Sequence, residues 1–164
     1  MISLIPRRPF KVPIDAGSIT PDTFVGKSSD EIATLQVWEG NRRLKLGDLF
    51  KVDGESSLKK EDMVIRISGD LRKVRRIGAN MSVGKIIIEG NIGNHLGEGI
   101  TGGAINVSGN AGSWTGSMMW NGTIEVKGSV GDYVGAAYRG STKGMKGGTI
   151  IVYGNAGNEV GCFM

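Results

Sequence analysis

Cysteine and histidine are nearly absent from this sequence, which contains one of each, Cys162 and His95. A single cysteine cannot form an internal disulfide bond or a zinc site built from several cysteines. A single histidine excludes the metal sites that use three histidines, and it argues against a catalytic centre that depends on histidine. The chain also lacks an apolar run of the ~18 residues needed to span a bilayer, and its start lacks the pattern of a signal peptide. We therefore expect a cytoplasmic protein without a membrane span.

Proline is scarce, with 4 residues among 164, whereas glycine is abundant, with 28. Collagen would need a strict three-residue period and far more proline, and 39% hydrophobic residues with a net charge of +4 argue against disorder. Residues 1–80 hold 7 of the glycines and the whole net charge, whereas residues 81–164 hold 21 glycines and are neutral. This change in composition predicts a mixed α/β cap over residues 1–64 and a different, glycine-rich segment over residues 65–164.

The N-terminal segment carries local signals for short elements. Thr20-Pro21 and the capping box of Ser28 and Glu31 each predict the start of a short helix, and residues 37–46 resemble a hairpin. Basic residues cluster at Lys59-Lys60 and over residues 72–76. Because acidic residues are interspersed and no nucleic-acid-binding motif accompanies them, we expect no nucleic-acid partner.

The second segment is an internal repeat. A strand-like unit that ends in glycine recurs at Ile65–Gly69, Ile86–Gly90, Ile105–Gly109, Ile124–Gly128 and Ile150–Gly154. The closing glycines are 21, 19, 19 and 26 residues apart, and a second column recurs at Met81, Ile100, Met119, Met145 and Met164 with spacings of 19, 19, 26 and 19. The two columns therefore agree on a 19-residue period and on one insertion of 7 residues.

A 19-residue unit with short β-branched strands and no helical periodicity is typical of one turn of a β-solenoid. Stacked turns lie ~4.8 Å apart, so equivalent residues contact their copies above and below. We expect the two isoleucine and valine columns of the strands to fill the interior, together with the methionine column and Leu96, Thr115, Val134 and Val160. A polar column of Asp70, Asn91, Asn110, Ser129 and Asn155 should form a hydrogen-bonded ladder.

Two motifs have ordinary structural explanations. Residues 97–102 match the dinucleotide-binding pattern G-x-G-x-x-G, but that pattern requires a strand before it and a helix after it, and here a strand follows. His95 belongs to a column with Trp114, Tyr133 and Glu159, which predicts an outward-facing stripe on the surface rather than a metal ligand. We expect no catalytic, cofactor-binding or metal-binding residue in this chain.

The insertion departs from the repeat and therefore carries information. It lies between Gly135 and Gly148, and insertions in solenoids map to loops on one face, which is often the binding face. Tyrosine and arginine are enriched where proteins meet partners. We predict a partner-docking loop with these candidate residues: Tyr138, Arg139, Ser141 and Lys143.

The sequence resembles the C-subunit of formylmethanofuran dehydrogenase. The resemblance is carried by Ile19–Ser28, Leu46–Phe50, Arg76–Gly78 and, most specifically, Gly131–Gly135 continuing into Tyr138–Gly140 and Lys143–Gly148. Where the family usually has an Asp-Trp pair in the insertion, this chain has Ser141-Thr142. The C-subunit of the formyltransferase/hydrolase complex is a close alternative. A further alternative is a free-standing interaction solenoid similar to the β-helix domain of glutamate synthase, which shares the general style of the repeat.

The resemblance implies a right-handed parallel β-helix subunit that supports an oxidoreductase complex of methanogenic archaea without itself being catalytic. That complex reduces CO2 with ferredoxin electrons and formylates methanofuran in the first step of methanogenesis. The resemblance places a tungsten or molybdenum pterin, iron-sulfur clusters and a metal-dependent hydrolase site in other subunits. These partners are molybdopterin-type, ferredoxin-type and amidohydrolase-like. Because family members continue with further glycine-rich turns, we expect residues 65–164 to lack the last turns of the β-helix. The uncapped last turn should then expose the end of the apolar column around Val160 and Met164.

Overall fold

The computed structural model describes residues 1–164 as a mainly β protein with two sheets and few helices. Helices make up 10% of the residues. The strands are β1 (Ile2–Pro6), β2 (Ile14–Asp15), β3 (Gln36–Glu39), β4 (Arg42–Lys45), β5 (Phe50–Gly54), β6 (Val64–Ser68), β7 (Val74–Arg75), β8 (Lys85–Glu89), β9 (Ala104–Val107), β10 (Thr123–Val126) and β11 (Thr149–Val152). The helices are α1 (Pro21–Phe24), α2 (Ser29–Ala33), α3 (Leu46–Leu49) and a 3-10 turn at Lys60–Asp62. None of them has the length and apolar character that crossing a bilayer would require.

The short elements of the N-terminal segment begin where local chemistry predicts. The Thr20 hydroxyl accepts a hydrogen bond from the amide of Thr23 at the start of α1. Ser28 and Glu31 form the predicted capping box of α2, with the side chain of each accepting from the backbone amide of the other. The predicted hairpin is also confirmed, since β3 pairs antiparallel with β4. Capping groups of this kind satisfy amides that a helix leaves without an internal partner.

The repeat forms most of a seven-stranded sheet with the order β11-β10-β9-β8-β6-β1-β5. Its five repeat strands pair in parallel, and the partners follow the sequence period, as in Ile86 with Ile105 and Ile105 with Ile124. The pairing of Ile124 with Ile150 shows that the insertion leaves the register unchanged. Successive repeats therefore stack in register, each strand beside the equivalent strand of the next repeat.

The N-terminal segment continues this stack. Strand β1 pairs in parallel with β6, and β5 closes that side of the sheet by pairing antiparallel with β1. A second sheet with the order β4-β3-β2-β7 joins the hairpin to the bend after β6 through the parallel pair β2 and β7. One hydrophobic core of 31 buried residues runs from Ile2 to Val134 and includes side chains of both segments.

The predicted interior columns are buried in most of the stack. Ile65, Ile86, Ile105 and Ile124 are fully buried, as are Met81, Ile100 and Met119. The last repeat differs, because no strand lies beyond β11 to cover it. Val160 and Met164, at the end of the interior columns, are 56% and 72% exposed, as predicted for an uncapped last turn.

Polar side chains connect the repeats outside the core. The Asn91 side-chain carbonyl accepts from the Asn110 amide at 2.8 Å, and that of Asn110 accepts from the Ser129 amide at 2.8 Å. A parallel series uses Asn94, Ser113 and Asp132, each of which accepts a hydrogen bond from a backbone amide of the following repeat. The predicted polar ladder is therefore present from Asn91 onward and is doubled. It satisfies backbone amides that strand pairing leaves free. Our placement of Asp70 in it is wrong, because the Asp70 carboxylate accepts locally from the Arg72 amide at 3.2 Å.

Candidate functional site: the aromatic ladder and the insertion loop

At one bend of each repeat, a residue other than glycine has the left-handed backbone conformation that glycine usually adopts. The equivalent residues of five successive repeats have φ between 59° and 67°: Arg76, His95, Trp114, Tyr133 and Glu159. Residues other than glycine seldom occupy this left-handed region, and such strain is concentrated at functional sites. The amides of the first four donate to the following repeat, as in the hydrogen bond of 2.9 Å from the His95 amide to the Ser113 carbonyl. The bend is thus a regular feature that displays one large side chain from each repeat.

The rings of His95, Trp114 and Tyr133 stack on one another, and we call these three residues the aromatic ladder. The centroids of Trp114 and Tyr133 are 4.4 Å apart with an interplanar angle of 12°. The His95 ring lies 6.0 Å from Trp114 at an angle of 5°. Pairs of this kind contribute about 0.5–1.5 kcal/mol beyond the area they bury. The stripe predicted from the column therefore exists, but its side chains are only partly exposed.

The first residues of the insertion loop, which spans residues 136–147, pack against the aromatic ladder. The Tyr138 ring tilts against Trp114 at 5.1 Å and against His95 at 5.6 Å. Its phenolic oxygen shares a hydrogen bond of 3.0 Å with Nδ1 of His95. Tyr138, which we predicted as a docking residue, is thus partly buried and holds the start of the insertion loop against the stack.

Charged side chains border the ladder on the side of the N-terminal segment. Nη1 of Arg76 lies 3.3 Å from Oδ2 of Asp15, and its Nε lies 3.6 Å from Oε2 of Glu98. The same Glu98 oxygen is 3.7 Å from Nδ1 of His95. A chain of alternating charges therefore runs from β2 to the imidazole and joins the N-terminal segment to the ladder.

This environment keeps both titratable rings of the contact in their neutral forms. Burial lowers the pKa of the His95 imidazole, and the neighbouring Arg75 and Arg76 act in the same direction, against the opposite effect of Glu98. Burial also raises the pKa of the Tyr138 phenol, with a contribution from the Glu98 carboxylate. At neutral pH the hydrogen bond therefore joins an uncharged imidazole to an uncharged phenol.

The rest of the insertion loop presents cations. Arg139 and Lys143 are exposed and take part in no ion pair. Ser141 shapes the turn between them, because its amide donates to the Tyr138 carbonyl at 2.9 Å and its hydroxyl accepts from the Lys143 amide at 3.2 Å. No acidic residue occurs between Asp132 and Glu159. The structure thus brings the four predicted residues together, with one partly buried against the ladder and two cations exposed.

Sequence reasoning missed three residues of this site: Arg76, Glu98 and Asp15. Arg76 lies 19 residues before His95, so counting back one period from the column would have found it. Asp15 reaches the site because β2 pairs with β7, and no local pattern signals that long-range pairing. The structure contains no group of three or more His, Cys, Asp or Glu side chains placed to hold a metal ion.

The chain is similar to known proteins in sequence and in structure. No family model matches the sequence. The chain is 50% identical over 98 residues to the C-subunit of the tungsten-containing formylmethanofuran dehydrogenase 2 of Methanothermobacter wolfeii, a match that covers 60% of this chain and 36% of the relative. It is 44% identical over 95 residues to the C-subunit of the molybdenum-containing formylmethanofuran dehydrogenase 1 of Methanosarcina barkeri, a match over 58% of this chain and 32% of the relative.

A solved structure is similar over nearly the whole chain. It is the formyltransferase/hydrolase complex of Methylorubrum extorquens with methylofuran, one chain of which superposes with a TM-score of 0.87 at 34% identity. The superposition covers 99% of this chain and 59% of the other. This chain thus spans well under two thirds of the length of the curated relatives that it matches. The resemblance to the C-subunit of formylmethanofuran dehydrogenase, predicted from the residues, is confirmed by these comparisons.

Proposed function

We propose that this chain is a structural subunit of a formylmethanofuran dehydrogenase, an oxidoreductase complex that reduces CO2 with ferredoxin electrons and formylates methanofuran. The observation that carries the proposal is the 50% identity to the C-subunit of an enzyme of that name. The chain's own role in this proposal is to hold other subunits in place. Its chemistry agrees with that role, because the ladder and its charged neighbours are engaged with one another rather than arranged around a cavity.

We infer that residues 65–164 form turns of a right-handed parallel β-helix and that residues 1–64 form its cap. The in-register parallel pairing of equivalent strands supports the turns, and the antiparallel strand β5 at the edge of the main sheet supports the cap. A parallel stack is rigid, because each turn is bonded to the next through backbone and side chains along its whole length. Such a body suits a part that fixes the distance between other subunits.

We place the docking contact of this protein on the insertion loop. Tyr138 orients the loop by packing on the aromatic ladder, and Ser141 holds the turn that presents Arg139 and Lys143. Arginine can pair with a carboxylate through two parallel hydrogen bonds, which adds geometric specificity to the contact. In this proposal the two exposed cations meet carboxylates of a neighbouring subunit.

We place the cofactors of the complex in other subunits, and we infer molybdopterin-type, ferredoxin-type and amidohydrolase-like partners for this chain. The names of the relatives, which include tungsten-containing and molybdenum-containing enzymes, support a metal pterin elsewhere in the complex. The residues present here do not fit such a metal, since the chain gathers no cluster of ligating side chains. No step of the reaction is therefore assigned to this chain.

A second candidate is the C-subunit of a formyltransferase/hydrolase complex, which would have no redox partner. The superposition over 99% of the chain favours it. The two candidates predict the same fold and the same kind of docking loop. They differ in the proteins with which the chain assembles.

The test is affinity purification of the tagged chain from its native extract, with the recovered subunits identified by mass spectrometry. We expect a molybdopterin-type subunit, a ferredoxin-type subunit and formylmethanofuran dehydrogenase activity in the same fraction. Recovery of formyltransferase and hydrolase subunits without a molybdopterin-type subunit would establish the second candidate. Recovery of the chain alone would contradict both.

The docking loop is tested separately with the same extract. The double substitution Arg139→Ala and Lys143→Ala should reduce the recovered partners, because truncating interface anchors typically costs ~2 kcal/mol or more each. The matched control is Arg43→Ala with Lys59→Ala, which removes the same charge from two other exposed cations without an ion pair. Equal recovery with both double variants would show that the insertion loop does not dock.

A further inference from the structure

An open groove of about 860 Å³ lies between the N-terminal segment and the first repeat. Its walls come from the residues that follow β1, among them Arg7, Arg8 and Phe10, and from the residues that follow β6, among them Arg72 and Lys73. We call it the cationic groove. It lies outside the aromatic ladder and the insertion loop, and nothing in the proposed function uses it. We propose that the cationic groove binds an acidic peptide segment of a partner protein.

The cationic groove carries more positive than negative charge. Four cationic side chains and a single carboxylate, that of Asp70, line it, which gives the lining a net charge of +3. Cations therefore outnumber carboxylates in one concave place, where low-dielectric walls strengthen their field.

Three of the cations of the groove are already held in place by partners within the chain. Nε of Arg7 donates to the Gly47 carbonyl at 2.7 Å, and Arg8 pairs with the nearly buried Glu39. Arg72 donates to Asp70 from Nε at 2.9 Å and from Nη2 at 2.7 Å.

A guanidinium has five N–H donors, so each of these pairs leaves donors available for a ligand. Side chains that are fixed beforehand lose less conformational entropy when a ligand binds. The fourth cation, Lys73, is exposed and takes part in no ion pair. The groove thus combines oriented arginines with one free ammonium group.

Size and lining point to a peptide. The volume is within the range of ~300–1,000 Å³ of sites that hold whole organic ligands, and it is far larger than a single small anion needs. Ile5, Pro6 and Phe10 add apolar surface for the carbon atoms of a chain. A nucleic acid would be a poorer occupant, because Phe10 is the single aromatic ring of the lining and packs on Phe50 at 5.6 Å instead of offering a platform for bases.

The test is fluorescence anisotropy with the purified chain and a labelled eight-residue peptide that contains four glutamates. Two probes serve as comparisons: the same peptide with glutamines, and a labelled single-stranded oligonucleotide of equal charge. We expect the glutamate peptide to bind at least tenfold more tightly than either comparison, with an affinity that falls as salt rises. Equal binding of the glutamine peptide, or tighter binding of the oligonucleotide, would overturn the proposal.

Variants locate the site. Arg7→Ala with Lys73→Ala should weaken peptide binding about tenfold or more, because charge-assisted hydrogen bonds are the strong ones. Arg43→Ala with Lys59→Ala, which removes equal charge from outside the groove, should weaken it less than about threefold. Lys73→Glu is a third variant that separates lost binding from lost folding, since the Lys73 side chain is exposed and takes part in no ion pair. We expect it to weaken peptide binding and to leave the melting temperature unchanged. Equal losses in the groove and control variants would show that binding is not located in the cationic groove.

Discussion

The phenolic oxygen of Tyr138 lies 3.0 Å from Nδ1 of His95, although 43 residues separate them in the sequence. This hydrogen bond joins the insertion loop to a bend two repeats earlier. It passes over Trp114, on which both rings pack. The insertion loop is therefore held at its start by a contact that spans two repeats of the stack.

Removal of the Tyr138 ring should free the insertion loop. We expect Tyr138→Ala to increase the rate of trypsin cleavage after Arg139 and Lys143, because the ring contacts and the hydrogen bond that hold the loop are lost. Tyr138→Phe keeps the ring and loses the hydroxyl, so its cleavage rate should lie between those of the native chain and Tyr138→Ala. Tyr153→Ala, at a tyrosine that is 62% exposed, is the control and should leave the rate unchanged. Identical rates for all variants would contradict this role of Tyr138.

The His95 imidazole should make stability depend on pH near neutrality. Because burial lowers its pKa in the folded chain, the unfolded chain binds the proton first as the pH falls. The contribution of His95 to stability is therefore complete above pH ~6.5, the ordinary pKa, and is lost as the pH falls toward the lowered value. Urea unfolding at a series of pH values between 8 and 5 measures this loss.

His95→Gln is the matched variant for that measurement, because it cannot take up a proton. Its free energy of unfolding should change less with pH over the same range. Asp70 also has a lowered pKa, owing to its hydrogen bonds with Arg72, but its contribution is lost only below its ordinary value of 3.8. Parallel pH profiles for the native chain and His95→Gln would show that the imidazole does not titrate differently in the folded state.

Gly90 should not tolerate a side chain. Its φ is 141°, and a Cβ atom there would overlap the backbone carbonyl oxygen of Gly69 in the preceding repeat. Gly90→Ala should therefore push two neighbouring turns apart and lower the free energy of unfolding by several kcal/mol, on the order of the largest effects of single substitutions. Gly140→Ala is the control, since its φ is 81° but nothing lies within 4 Å of the added atom. We expect it to cost only ~1–2 kcal/mol, and equal losses in both variants would exclude the close approach as the cause.

The polar ladder should contribute measurably at each repeat. Asn110→Ala removes the acceptor of the Ser129 amide, so we expect a loss of about 1 kcal/mol in the free energy of unfolding and faster hydrogen exchange at that amide. Asn158→Ala is the control, because the side chain of Asn158 is exposed and the hydrogen bond made there uses its backbone amide. Unchanged exchange at Ser129 would contradict the proposed contribution.

The sequence predicted the features of this protein that recur with the period. The burial of Ile86, Ile105 and Ile124 follows from a register that two independent columns specify. The doubled ladder follows from the same register, although only the series that begins at Asn91 was predicted. Each of these features depends on neighbours that are one period away.

Contacts between residues that are not one repeat period apart in the sequence could not be predicted. The position of Tyr138 depends on how an insertion of unique sequence folds back over two repeats, and the approach of Asp15 to Arg76 depends on a strand pairing 60 residues apart. The exposure of Val160 and Met164, by contrast, was predicted from the uncapped end of the apolar column, because burial requires a neighbouring repeat on both sides. Periodicity therefore predicts the contacts between successive repeats, but not the contacts that an insertion or the N-terminal segment makes.

The in-register stacking of the repeats fixes the distance between the cationic groove and the insertion loop. The cationic groove borders β6, whereas the insertion loop lies between β10 and β11, four steps along the sheet. At ~4.8 Å a step, the two surfaces are offset by about 19 Å along the stack. This offset can change only in whole steps, so inserting or deleting one repeat would move the insertion loop by a fixed increment. Partners bound at both surfaces would therefore have a separation encoded by the number of repeats between them.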